Sequence, residues 1–186
     1  LGAEKPEPNV MNRPPRGRTT PLLDSGLLGR AFLWLGMIEA ALCYLGFFLV
    51  YVLSGNAYAL NIPFLQAFDF PRLFPIPADQ IEVYGRTVFH AGVVAAQVGN
   101  AFACRSEREK GRRLGWFSNS LLWLGIGIEI VLILSLIYIQ PLAVLFQHVF
   151  LPPYFWLGLI LYGPLLYFLE RARKVLSLWL EAVGSG

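Results

Sequence analysis

The chain has 186 residues, 56% hydrophobic and only 15% charged, with a mean hydropathy of +0.55. A soluble domain carries about a quarter charged residues, and here the charges sit in blocks between long apolar runs, the pattern of an integral membrane protein. The net charge of +3 and the pI near 9.0 come from basic residues that flank those runs instead of forming a patch, which argues for membrane topology and against nucleic-acid binding.

Residues 1–30 are polar and Pro-rich, with Pro6, Pro8, Pro14, Pro15 and Pro21 among Lys5, Arg13, Arg16, Arg18 and Arg30. Adjacent prolines remove donors and push their predecessors out of the helical region, so this segment reads as an extended cytosolic connector. The first residues, Leu1-Gly2-Ala3-Glu4, and the last, Gly184-Ser185-Gly186, read as cut ends, and we expect a piece of a larger protein.

The first span is predicted over 31–53, interrupted only by Glu39; at 1.5 Å per residue it is about 34 Å long, enough to cross a bilayer. Residues 54–84, rich in Pro and Phe, read as a structured outer loop. The second span covers 85–104 and ends at a basic loop over 105–118. The third covers 119–139, with Glu129 near its middle, and stops at Gln140-Pro141. The fourth runs over about 154–169, with a kink expected at Gly163-Pro164, and Glu170-Arg171-Ala172-Arg173-Lys174 closes it before a tail over 175–186. The N-terminal segment holds five Lys or Arg, the 105–118 loop five and the tail region three, against Arg72 and Arg86 on the opposite side. The fold class is therefore an all-α membrane protein with four transmembrane helices and both ends cytosolic.

The two cysteines do not make a disulfide framework. Cys43 and Cys104 differ in depth by roughly 15–20 Å, so both are expected reduced.

Charged side chains at mid-bilayer cost at least about 2.5–3.5 kcal/mol. His90, Gln97, Asn100 and Cys104 share one helical stripe, while Gly92, Ala96, Gly99 and Ala103 lie on the opposite one, in small-xxx-small spacing that admits a second backbone. Measured from the cytosolic helix ends, Glu39, Gln97 and Glu129 lie about 12–15 Å deep. One reading is a polar layer that binds or conducts a cation through carboxylate and amide oxygens. The other is interhelical hydrogen bonding with the carboxylates protonated or paired. His90 reads as a partner for helix packing or for the outer loop. No phosphate loop, Cys/His metal spacing or nucleophile–base set is present, so no catalytic residue and no bound cofactor are expected in this chain.

The connector Pro6-Glu7-Pro8-Asn9-Val10-Met11-Asn12-Arg13-Pro14-Pro15-Arg16 closely resembles the cytosolic segment after the sixth membrane helix of P-type cation-transporting ATPases, the calcium and sodium/potassium pump class. Gln97–Arg108 resembles the cytosolic half of their eighth helix. Phe117-Ser118-Asn119 and the Trp156…Glu170 stretch resemble the ninth and tenth. The resemblance covers Leu1 to about Lys174 and implies helices seven to ten of a ten-helix bundle. It also implies partners in the remaining helices one to six and the cytosolic domains of the same pump, in membrane lipids, and in a transported cation, calcium or sodium/potassium. Mg-ATP would act on domains absent from this chain, which carries no Asp-Lys-Thr-Gly phosphorylation motif.

By the same resemblance, Gln97 falls where reticulum calcium pumps have a calcium-ligating Glu, and where sodium/potassium and plasma-membrane calcium pumps have Gln. Asn100 matches an Asn of calcium pumps and a coordinating Asp of sodium pumps. Glu129 aligns with a ninth-helix carboxylate linked to the third sodium site. Glu39 matches no family ligand. The resemblance leads us to expect a multi-pass protein of the plasma membrane. A stand-alone four-span channel-like or accessory subunit is the alternative.

Overall fold

The computed structural model describes residues 25–68, 70–105 and 115–184. The connector motif over 6–16 and the loop positions 106–114 lie outside the described residues. Within them every regular element is helical. The first helix, α1, runs Ser25–Leu53, beginning six residues earlier than the predicted span because no proline follows Pro21 before the apolar run. It widens into π geometry over Arg30–Gly36, a form that appears frequently at functional sites, and the site residue Glu39 follows three residues later. After short helical turns at Ala57–Leu60 and Pro63–Gln66 come α2 (Ile81–Ala103), α3 (Ser120–Tyr138), a short α4 (Gln140–Leu145), α5 (Pro153–Leu159) and α6 (Tyr162–Gly184). By length and composition, α1 and α3 are apolar enough to cross a membrane.

Helix α2 is the centre of the molecule, packed against α1 on one side, α6 on another and α3 on a third. Its small residues explain why. Lipid tails are as apolar as leucine, so helix association inside a membrane gains little from hydrophobic burial and depends on close backbone approach. A Cβ on Gly99 would lie 2.2 Å from the Gly163 carbonyl oxygen and 2.6 Å from its Cα. The backbones of α2 and α6 therefore touch. Gly92 accepts the Tyr162 ring, and the Tyr162 hydroxyl fills the notch above Gly46 of α1. One aromatic side chain thus keys three helices together, and the small-residue stripe predicted from spacing is a packing face.

The segment predicted as the fourth span differs from its expected form. The helix breaks at Ile160–Leu161, between α5 and α6, rather than at Gly163-Pro164. Proline lacks the N–H that would bond the carbonyl four residues back, and its ring clashes with that carbonyl. For Pro164 the residue four back is Ile160, so the cause and the break are one turn apart. Beyond Leu169, α6 continues to Gly184 as one helix, where the sequence suggested a separate tail.

Helix α3 is held more lightly. Its N-cap is Asn119, whose side chain accepts from the Leu122 N–H at 3.1 Å, satisfying one of the helix's free donors. Only Leu122, Ile126, Ile133 and Ile137 are buried, a single stripe. An apolar cleft of about 420 Å³ remains between α2, α3, α5 and α6, lined by Ala95, Ile133, Trp156 and Pro164 among others. The loop after α1 is ordered by contacts to the bundle. The Leu73 and Phe74 N–H groups donate to the Leu53 carbonyl, and the Phe74 ring stacks on Tyr154 at 5.0 Å.

Candidate functional site

The polar layer is partly assembled. The Gln97 amide nitrogen donates to both oxygens of Glu39, at 2.8 and 3.1 Å, joining α2 to α1. Both side chains are half-buried. Glu39 was the candidate with the least support in sequence, yet it is the one in direct contact with Gln97. Because the amide uses its N–H groups on Glu39, its oxygen remains available as an acceptor. Glu129 on α3 lies within electrostatic reach of Glu39 but makes no hydrogen bond to it. Asn100 lies one turn further along α2. Its Oδ1 accepts from the Cys104 thiol at 3.1 Å, so it is not joined to the Glu39–Gln97 pair. Cys43 and Cys104 are both free thiols, as the depths required.

A carboxylate facing only a neutral amide keeps its charge uncompensated in apolar surroundings, which favours uptake of a proton or a cation. Oxygen donors of this kind suit hard cations. Among the described residues no group of three or more His, Cys, Asp or Glu forms a ready-made metal cage. The pair is an interhelical hydrogen bond whose oxygens are of the kind that hard cations take.

A second polar cluster was not singled out from sequence. Glu170, with 1% of its side chain exposed, accepts two bonds of 2.8 Å from Arg173, lies 3.2 Å from the Arg30 Nε, and sits 3.8 Å from the Lys174 Nζ. Lys174 also donates to the Ala103 carbonyl at 2.8 Å, satisfying one of the acceptors left free at the end of α2. Burial pushes the Lys174 ammonium below its ordinary value, while Glu170 draws it back up. This cluster ties the start of α1, the end of α2 and the middle of α6. Its signal was the Glu170–Lys174 charge block, but Arg30 lies too far away in sequence for spacing to reveal the partnership.

A helical bundle with two helices apolar enough to cross a membrane and polar side chains bonded between helices has the construction of a membrane domain. The particular family follows from similarity. Residues 1–176 match the family model described as "Cation transporting ATPase, C-terminus", and the chain belongs to that family. Potassium-transporting ATPase alpha chain 2 of Oryctolagus cuniculus is 23% identical over 187 residues, covering 94% of this chain and 17% of that protein. The human protein of the same name is 23% identical over 190 residues, covering 94% and 18%. Calcium-transporting ATPase 1 of Yarrowia lipolytica is 27% identical over 175 residues, covering 94% and 16%. The chain spans less than a fifth of the length of these relatives, in which the matching region is one part of a longer pump chain.

Proposed function

We propose that this chain is the closing membrane segment of an ATP-driven P-type cation pump, and that Glu39 and Gln97, with Asn100 beside them, border the path of the transported cation. The observation that carries the reading is the Glu39–Gln97 pair, an anionic oxygen donor bonded to a neutral one across two helices. Glu129 adds a second carboxylate from α3 within electrostatic reach. In this reading the chain contributes four spans with both ends in the cytosol, supported by the gathering of basic residues on one side. The pump resides in the plasma membrane. Mg-ATP acts on other domains of the same pump, and the cargo is calcium or sodium/potassium, completed in its site by helices from the rest of the protein.

The test is made in the full-length pump. Gln97→Ala should raise the cation concentration needed for half-maximal phosphorylation about tenfold, the equivalent of roughly 1.4 kcal/mol. An unchanged cation dependence removes Gln97 from the path. Glu129→Gln should alter the cation or pH dependence of transport more weakly; with both intact, Glu129 is a packing residue.

A further inference from the structure

At the end of α2 opposite the Glu170 cluster, three neighbouring side chains fasten one loop. Arg86 bonds the Gln147 side chain, the Thr87 hydroxyl accepts from the Val149 N–H at 3.1 Å, and the His90 Nδ1 lies 2.7 Å from the His148 Nε2. The loop they hold is the α4–α5 connection. It leaves α4 through a Schellman turn, with the His148 N–H bonded to the Ala143 carbonyl and the Gln147 N–H to Val144. Gln147 occupies the left-handed position of that turn at φ 54°, where glycine is the usual residue. A non-glycine residue there costs conformational energy and persists only where other contacts hold it. The bonds to α2 are those contacts.

The imidazole contact has a property that the other two lack. At 2.7 Å one ring must donate and the other accept, so the contact between the rings is made when both are neutral or when they share one added proton. When both rings are charged, both nitrogens carry hydrogens and the bond is lost. The charged groups facing the pair from the described elements are unfavourable to that charge. Arg86 of α2 stands beside both rings, and its own partner, Glu82, lies a turn further along. From α3 the Leu136 carbonyl lies near His148, whose buried Nδ1 makes no hydrogen bond among the described residues. Burial holds His148 below the ordinary histidine value, partly offset by the Leu136 carbonyl, with Arg86 adding to the depression. The sign follows: stability from the neutral ring is complete above the ordinary value and is lost as pH falls through the depressed one.

We propose that the His90–His148 contact is a proton-operated latch, closed at neutral pH and released by acid on this side of the bundle, which loosens the α4–α5 connection by leaving only the Arg86–Gln147 and Thr87–Val149 bonds to α2. The release is local. Tyr138 still donates to the Leu151 carbonyl at 2.7 Å and the Trp156 indole still donates to the Tyr138 hydroxyl, so α5 stays attached to the end of α3 while the loop loosens.

The experiment is hydrogen exchange at the His148–Leu151 amides in the membrane-reconstituted full-length protein, expressed as protection relative to the intrinsic rate at each pH. Between pH 7.5 and pH 5.5, protection in the wild type should fall at least tenfold, while in His90→Gln/His148→Gln it should not change. Constant protection in the wild type overturns the latch, as does an equal fall in the double variant. Should the double variant lose its helicity, nitrogen NMR of the wild-type histidines decides. Loss of protection at the same midpoint as uptake of the second proton supports the latch, and separate midpoints overturn it.

Discussion

Among the carboxylates of the described residues, Glu170 and Glu39 are treated in opposite ways. Glu170 meets Arg30, Arg173 and Lys174, so its charge is over-compensated and fixed in place. Glu39 meets the amide of Gln97 and, among the described residues, no cation. Mutual attraction repays the desolvation of a buried ion pair only when geometry and hydrogen bonds are complete, a condition the Glu170 cluster meets with its two-point bond to Arg173. The difference separates a fastening from the cation site proposed for Glu39. A carboxylate whose charge is already matched has little to gain from a visiting cation, whereas one facing a neutral donor does.

The comparison can be broken first at its structural member. Glu170→Ala leaves Arg30 and Lys174, each with 13% of its side chain exposed, without their shared counter-charge, and should cost about 3–5 kcal/mol. Thermal unfolding in lipid nanodiscs reads this as a lowered midpoint, and an unchanged midpoint would make the cluster dispensable. Gly99→Ala asks whether backbone contact rivals charge in holding α2. The added methyl meets the Gly163 backbone, and overpacking of this kind costs about 1–3 kcal/mol. A loss below about 0.5 kcal/mol would show that α6 yields to the methyl. Lys174→Met should cost only about 1 kcal/mol through its bond to the Ala103 carbonyl. Glu39→Gln should be the mildest for stability, under about 1 kcal/mol, while shifting the cation dependence of the parent pump about as much as Gln97→Ala does. A Glu39→Gln protein that unfolds early yet keeps its cation dependence would exchange the roles given to the two carboxylates.

Particular residues show how far the sequence can be read. Spacing alone revealed the Gly92–Ala96–Gly99–Ala103 face, because a helix fixes which residues share a side. It also put Glu39, Gln97 and Glu129 at a common depth, since depth along a helix is a count of residues. It could not say that Gln97 would pair with Glu39 and not with Glu129, because rotation of one helix about its axis is set by its neighbours. His90 read as a partner for packing or for the outer loop, and its partner proved to be His148 of the α4–α5 connection. The π-widened segment before Glu39 and the Arg30–Glu170 contact had no local signal at all. The break in the fourth span was legible in cause but displaced in position, because proline acts on the carbonyl one turn before it.

The meeting of Gly99 with Gly163 has a mechanical meaning. Most helix contacts pass through side chains, which can change rotamer and absorb small movements. Here main chain rests on main chain, with no compliant layer between. A slide or tilt of α6 must therefore reach α2 undamped, and Gln97 lies only two residues from the point of contact. The two helices work as a stiff linkage, with the Gln97 amide mounted close to its bearing.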